Sequence, residues 1–325
     1  MKINLKVIKN RKLYLGISTV MVLISLISLF TIKLNLGVDF KGGELIQLKY
    51  SKKIDQNAVN STLNSLIGKI PQMKAKRVQF SDTDNTVIIR TEQMSSTQKA
   101  KVMSELKQNT GKFEVVKNET VGAVIGKELT ANAFQALLIG SILIIIYITV
   151  RFEFIYAIAG IVALIHDVII AFGVITMLRY EIDTPFIAAI LTILGYSIND
   201  TIVIFDRIRE NNKYLKKGAV ADVINKSINS TLSRSIVTSL TTMIVMVPLL
   251  IFTSDVIRSF TIPLMIGVAT GTYSSVFICG SLYYDFTNLF TGKGGKGGDT
   301  GKASGKKKNK KKDVSKAKLD DGAVV

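Results

Sequence analysis

Residues 186–205 read FIAAILTILGYSINDTIVIF, and Asp200 is the only charged side chain among these twenty residues. A helix of that length spans about 30 Å at a rise of about 1.5 Å per residue, which matches the hydrocarbon core of a bilayer. Five further apolar stretches of similar length lie at residues 13–32, 133–150, 155–178, 235–253 and 262–284. The sequence therefore predicts an α-helical polytopic membrane protein with six transmembrane helices.

The chain of 325 residues contains one cysteine and one histidine. A single cysteine excludes an internal disulfide framework and a CxxC redox pair, and the two residues together supply too few ligands for a zinc site. We expect no metal, no cofactor and no enzymatic activity. One catalytic alternative is an intramembrane serine protease in which Ser197 pairs with His166. Against this alternative, Ser197 is not followed by a glycine-rich turn.

The distribution of basic residues predicts the orientation of the helices. The first twelve residues carry five basic and no acidic side chains, and residues 206–234 carry seven basic against three acidic ones. The hairpin at 179–183, on the opposite side, carries one basic and two acidic residues. Since short loops rich in Lys and Arg stay cytoplasmic, we expect a multi-pass protein of the cytoplasmic membrane with both termini inside the cell.

The chain divides into four predicted segments. Residues 1–34 form the cytoplasmic N-terminus and the first transmembrane helix, 35–130 an extracytoplasmic domain, 131–290 a five-helix transmembrane region, and 291–325 a tail rich in Lys and Gly. The apolar part of the first helix is long and no cleavage site follows it, so we expect a retained anchor. The tail contains too few apolar residues to fold and is predicted to be disordered. It is a solvated positive segment or a contact for anionic lipid or ribosomal RNA.

The extracytoplasmic segment has the periodicity of an α+β domain. Its predicted elements follow the order βαββαβ, with strands at 44–50, 77–81, 86–91 and 113–117 and helices at 59–70 and 95–108. This order is typical of the ferredoxin-like arrangement. The segment contains no His and no Cys, and we expect it to bind an extended polypeptide, at a sheet edge, rather than to catalyse a reaction.

A charged side chain in the middle of a membrane costs about 2.5–3.5 kcal/mol by insertion scales, so Asp200 requires a partner or a function. Helical spacing places Tyr196, Asn199 and Asp200 on one face of the fourth span. Arg234 and Thr238 lie on one face of the fifth span, at a similar depth. We interpret Asp200 as a carboxylate that takes up and releases a proton beside Arg234. A purely structural ion pair is the alternative.

The third span carries a second polar pair, His166 and Asp167, at its middle. A lone histidine is often a satisfied core residue, and the alternative is a proton relay beside Asp200. The predicted ion-coupling set is therefore Asp200, Arg234, Asn199, Tyr196, Thr201, Thr238, His166 and Asp167.

Several stretches resemble the SecF members of the SecD/SecF family of the bacterial Sec translocase. The loop after the first span reads GVDFKGG at residues 37–43, the fourth span contains GYSINDTIVIFDRIREN at 195–211, and the fifth opens with SRSIVTSLTT at 233–242. His166-Asp167-Val168 is also similar to the third helix of that family. The resemblance covers about residues 1–290.

This resemblance implies a partner, SecD, in a twelve-span unit of the resistance-nodulation-division type, and a proton or sodium gradient that promotes export through the SecYEG channel. It makes Asp200 the essential carboxylate and Arg234 its basic partner, with Asp206 and Arg207 at the cytoplasmic end of the fourth helix. The loop residues it singles out are Gly37, Asp39, Phe40, Gly42 and Gly43. The alternatives are a self-contained proton-driven exporter of small molecules and a passive scaffold.

The sequence departs from the family pattern before the second span. The family usually has Val-Gly-Pro there, whereas this chain has Val121-Gly122-Ala123. Alanine frees φ and restores a backbone N–H that proline lacks. We therefore expect a softer start of the second helix and assign it no hinge role.

Overall fold

The computed structural model describes residues 5–81, 85–214, 220–252 and 255–290. The predicted tail at 291–325 lies outside these residues, as do three of the four residues of the turn predicted at 82–85.

Among the described residues, six helical spans are long and apolar enough to cross a membrane, which confirms the predicted number. The last span is interrupted by a π-helical turn, Ser274–Cys279. In chain order the spans are α1 (Arg11–Thr31), α5 (Ala123–Arg151), α6 (Phe154–Met177), α7 (Thr184–Tyr214), α8 (Val220–Phe252), and α9 (Asp255–Tyr273) continued by the π-helical turn into α10 (Gly280–Phe290).

The inner spans of the bundle are α6, α7 and the α9–α10 span. In each of them, about half of the residues in the apolar stretch are buried within this chain. By contrast, the buried share of the apolar stretch is only 17% in α1, 6% in α5 and 17% in α8. Small residues allow close helix contacts in a membrane. At Gly173, a Cβ atom would lie 2.2 Å from the Cβ of Ser25, so α1 and α6 touch there along their backbones.

Residues 43–121 form a four-stranded sheet with two helices, here called the sheet domain. Its strand order is β2-β3-β1-β4, and all neighbours are antiparallel. A short helix, α2 (Val38–Lys41), leads into it from the first span. The elements in chain order are β1 (Gly43–Tyr50), α3 (Gln56–Ser65), β2 (Arg77–Ser81), β3 (Thr86–Thr91), α4 (Ser96–Thr110) and β4 (Phe113–Val121).

Local sequence explains where these elements begin. The Asp55 side chain accepts two backbone N–H bonds at the start of α3, and Ser95 and Gln98 form a capping box at the start of α4. Two boundaries of the sheet domain differ from the prediction by more than three residues. Helix α3 ends at Ser65 rather than at residue 70, and strand β4 continues to Val121 because its last residues pair with the start of β1.

Candidate functional site

The first polar centre of the bundle is Asp167, which is fully buried in the middle of α6. Its Oδ2 accepts hydrogen bonds from Ser197 Oγ on α7 at 2.6 Å and from Ser274 Oγ in the π-helical turn at 2.7 Å. Its Oδ1 lies 2.8 Å from His166 Nδ1. Asp167 therefore joins three spans through one carboxyl group.

Asp200 lies three residues after Ser197 on α7 and is only 2% exposed. Ser235 of α8 faces its carboxyl group. Even so, Asp200 Oδ2 and Ser235 Oγ are both buried, and neither makes a well-formed hydrogen bond with the residues that the structure describes. Buried polar atoms are rarely left without a partner. Of the two buried carboxyl groups in the described part of the helical bundle, Asp200 is thus the one with an oxygen free to accept a proton.

The structure separates some of the residues that helical spacing had grouped. Arg234 is exposed on α8, and within the described part of the chain it forms no ion pair with Asp200, although its charge acts on that carboxyl group. Asn199 is exposed, Tyr196 Oη lies 3.0 Å from Thr242 Oγ1, and Thr238 donates to the backbone of its own helix. The predicted direct contact between Asp200 and Arg234 is absent from this arrangement.

Sequence reasoning missed the contribution of the last span. Thr201 Oγ1 lies 2.9 Å from Ser275 Oγ and 3.4 Å from Cys279 Sγ, and Ser275 Oγ donates to the backbone oxygen of Ser197. Ser275 and the Asp167 ligand Ser274 both belong to the π-helical turn, and such turns frequently occur at functional sites. The only signal in the sequence is the pair Ser274-Ser275 inside an apolar run.

The histidine does not complete a catalytic pair. Ser197 donates its hydroxyl hydrogen to Asp167 rather than to His166, so the geometry gives no support to the serine protease alternative. His166 Nε2 is buried and has no hydrogen-bond partner in the part of the chain that the structure describes. Within the described ranges, no three His, Cys, Asp or Glu side chains are grouped so that they could hold a metal ion.

The second candidate site is the loop at residues 37–43, which connects the first span to the sheet domain. Gly42 and Gly43 have φ values of +73° and +124°, which residues other than glycine rarely adopt. A Cβ atom on Gly43 would lie 2.5 Å from the backbone oxygen of Thr91, and one on Gly42 would lie 3.0 Å from Ala123 Cα. Glycine is required at both positions because the chain turns here against β3 and the start of α5.

The same loop is attached to the start of α7. Asp39 Oδ2 accepts a hydrogen bond from the backbone N–H of Thr184 at 2.9 Å, and Gly37 N donates to the backbone oxygen of Ile182 at 2.8 Å. Phe40 packs against the apolar core that contains Phe186. The loop therefore connects the sheet domain to the helix that carries Asp200.

The sheet domain also contacts the hairpin between α6 and α7 through an ion pair. Arg90 Nε lies 2.5 Å from Glu181 Oε1, and both side chains are mostly buried. Burial raises the pKa of Glu181, and the charge of Arg90 opposes this effect. Burial likewise raises the pKa of Asp183, whose Oδ2 accepts a hydrogen bond from Ser259 Oγ.

At the other end of α7, Asp206 accepts two hydrogen bonds from Arg151 of α5, at 3.0 and 3.1 Å. Arg207 contacts Glu210, one turn along the same helix, and Ser230 of α8. Both residues thus connect α7 to neighbouring helices and lie apart from Asp200.

Comparison with known proteins places these features in a family. Residues 101–289 match the SecD/SecF protein export membrane proteins, C-terminal region, and residues 27–54 match the SecD/SecF GG motif. The chain is 49% identical to protein translocase subunit SecF of Sebaldella termitidis over 86% of this chain and 91% of that protein. It is 42% identical to SecF of Calditerrivibrio nitroreducens over 88% and 95% of the two chains.

A solved structure shows the same architecture. The crystal structure of SecDF from Thermus thermophilus, described as a translocon-associated membrane protein, superposes with a TM-score of 0.79 at 33% identity. The superposition covers 86% of this chain and 38% of that one. The relatives are named as translocase subunits, which does not favour a self-contained exporter of small molecules. The chain belongs to the SecF proteins of the SecD/SecF family, the translocase subunits of protein export.

Proposed function

We propose that this SecF chain pairs with SecD and uses a proton or sodium gradient to promote export of polypeptides through the SecYEG channel. The observation that carries the proposal is the buried Oδ2 of Asp200, which makes no well-formed hydrogen bond within the described ranges although its carboxyl group faces Ser235. A carboxyl group in such a position can gain and lose a cation without first breaking a hydrogen bond at that oxygen.

The energies involved are of comparable size. One elementary charge that crosses 100 mV releases about 2.3 kcal/mol, and a charge at the centre of a membrane helix costs about 2.5–3.5 kcal/mol by insertion scales. Neutralising Asp200 would remove its attraction to Arg234, which acts through space rather than through an ion pair. The two protonation states would then favour different positions of α7 relative to α8.

Helix α7 offers a route from this event to the sheet domain. Ser197, one turn before Asp200, is held by Asp167, and the first residue of α7, Thr184, is held by Asp39 of the glycine loop. A helix is stiff along its axis, so a shift near Asp200 would reach the loop and the domain beyond it. In this scheme Asp167 is a fixed contact and Asp200 the group that changes its charge.

Further features support the assignment of partners. Helices α1, α5 and α8 are left mostly uncovered by this chain, as expected for a subunit that packs against SecD. The SecDF relative is a longer chain, of which this one spans 38%. The excess of basic residues in 1–12 and 206–234 supports cytoplasmic termini, with the Lys-rich tail at 291–325 available to anionic lipid or the ribosome.

We also propose that the sheet domain, within segment 35–130, is ferredoxin-like and contacts the translocating polypeptide outside the membrane. The element order βαββαβ and the antiparallel strand order β2-β3-β1-β4 support this fold. Strands β2 and β4 are the edges of the sheet, where an extended chain could add as a strand.

The proposal is tested with vesicles that contain this chain, SecD and SecYEG, in which export of a reporter protein is measured with and without an imposed proton or sodium gradient. We expect Asp200→Asn to reduce the gradient-dependent part of export to the level seen without the chain. Glu153→Gln removes the same charge from an exposed position at the start of α6 and should leave export unchanged. Gradient-dependent export by Asp200→Asn at the unsubstituted rate would refute the role of this carboxylate.

A further inference from the structure

A cleft of about 720 Å³ lies at the end of the bundle opposite the sheet domain. Its walls come from the segment before α1, the first turns of α8 and the end of α10. Its volume falls within the range of about 300–1,000 Å³ that is usual for ligand pockets. No residue of either candidate site described above takes part in it.

The cleft has a rigid wall. Asn229 Nδ2 donates to the backbone oxygen of Leu5 at 2.9 Å, and Asn229 Oδ1 accepts from the N–H of Leu5 at 2.7 Å. One turn earlier on α8, Asn225 Oδ1 accepts from the N–H of Ile8 at 3.1 Å. Two asparagines thus fix the segment before α1 against α8, and Ile8 is buried in the bundle core.

The charge in the cleft is unbalanced. Lys6, Lys9 and Lys226 line it, and none of their ammonium groups has an ion-pair partner among the residues that the structure describes. Among the described residues of the lining, Asp222 is the only acidic one. Three positive charges therefore face one negative charge.

A fourth cation in the lining is already engaged. Arg11 Nε donates to Asp285 Oδ1 at 2.8 Å, and its guanidinium group lies 4.7 Å from the centre of the Tyr284 ring. This residue closes the side of the cleft formed by α10. The free positive charge consequently belongs to the three lysines.

We propose that this cleft binds the phosphate headgroup of an anionic phospholipid. The apolar part of α1 begins at Leu13, directly after Arg11 and Lys12, so the cleft lies at the level where lipid headgroups meet the hydrocarbon. Lysine is a common phosphate ligand, and basic pockets between transmembrane helices on the cytoplasmic side recognise anionic headgroups. The site uses the orientation proposed above but does not depend on ion coupling through Asp200.

The chain contains no tryptophan, so Tyr284→Trp introduces a single fluorescent reporter in the wall of the cleft. The full chain with this substitution is placed in phosphatidylcholine vesicles that contain a small fraction of a lipid with brominated acyl chains, which quench the reporter on contact. We expect brominated phosphatidylglycerol to quench more strongly than brominated phosphatidylcholine at the same fraction.

In the same background, changing Lys6, Lys9 and Lys226 to Gln should lower this preference by about fivefold for each lysine that contacts the phosphate. A matched control removes three exposed basic groups that lie at the same end of the bundle but outside the cleft, by Lys12→Gln, Arg209→Gln and Lys213→Gln. This control should retain the preference for the anionic lipid.

Three outcomes would overturn the proposal. Equal quenching by both lipids would show that the cleft does not distinguish the anionic headgroup. An equal loss of preference in the control would show that the membrane responds only to overall charge. Displacement of the brominated lipid by inorganic phosphate alone at low concentration would assign the cleft to a free anion instead of a lipid. A negative result for Asp200→Asn in the export assay would leave this site unaffected.

Discussion

Substitution of Gly43 by alanine should weaken the connection between the sheet domain and the membrane helices. Gly43 has a φ of +124°, and the new Cβ would lie 2.5 Å from the backbone oxygen of Thr91. Thr91 pairs with β1 directly beside this position, so its oxygen cannot move away without disturbing the pairing of β1 with β3. The substitution therefore combines a backbone penalty with a steric one.

The two penalties can be estimated separately. A residue other than glycine held in a sparsely populated backbone region costs about 1–3 kcal/mol, and forcing an extra carbon into a packed site costs about 1–3 kcal/mol more. Gly111 serves as a control because it has a φ of +95° but no atom within 4 Å of the Cβ position. Gly111→Ala should show the backbone penalty alone, and Gly43→Ala the sum of about 2–6 kcal/mol.

The measurement compares thermal unfolding of the full chain in detergent micelles with limited proteolysis of the sheet domain. Gly43→Ala should unfold at a lower temperature than Gly111→Ala, and its cleavage sites near β1 and β3 should open first. Equal stability of the two variants would refute the argument, because it would mean that the Thr91 oxygen leaves room for a side chain at Gly43.

Two further predictions concern other contacts. Gly173→Ala should destabilise the α1–α6 contact by about 1–3 kcal/mol, since its Cβ would lie 2.6 Å from the Cα of Ser25. Gly195→Ala, whose Cβ would meet no atom within 4 Å, should stabilise its helix by about 0.5–1 kcal/mol. Thermal unfolding of both variants in the same detergent checks the two expected changes. Burial raises the pKa of Glu181 above 4.5 despite Arg90, so Glu181→Gln should melt higher than the unsubstituted chain at neutral pH. This difference should vanish as the pH falls through the raised pKa toward 4.5, where the unsubstituted side chain is uncharged as well, whereas a difference that grows on acidification would contradict the assigned direction.

The six spans could be predicted from the sequence because runs such as residues 186–205 almost lack charge, and a bilayer tolerates few other structures. The strands at 77–81 and 86–91 were also predicted with the bounds that the structure shows. Their apolar residues either alternate with polar ones or form a short apolar run, and both patterns are typical of strands. The ends of α3 and β4 were less predictable, because tertiary pairing with β1 decides how far β4 extends.

The partners of the buried carboxyl groups could not be predicted from spacing. Depth along two helices placed Arg234 level with Asp200, but the rotation of α8 about its axis decides which side chain turns inward, and it is Ser235. For Asp167 the missing information was the π-helical turn, which changes the helical register at Ser274 and brings that hydroxyl within 2.7 Å of the carboxyl group. Neither the rotation nor the turn has a distinct mark in the sequence.

The first residue of α5 tolerates a change that looked consequential in the sequence. Ala123 occupies the first helical position, where a backbone N–H has no partner within the helix, so the hydrogen atom that alanine restores has no carbonyl to meet inside α5. Gly122 before it has φ −65° and ψ 150°, a conformation that the residue before a proline also adopts. Proline and alanine are therefore interchangeable at this corner as far as helix geometry is concerned, and alanine here gives no reason to expect a softer start of α5.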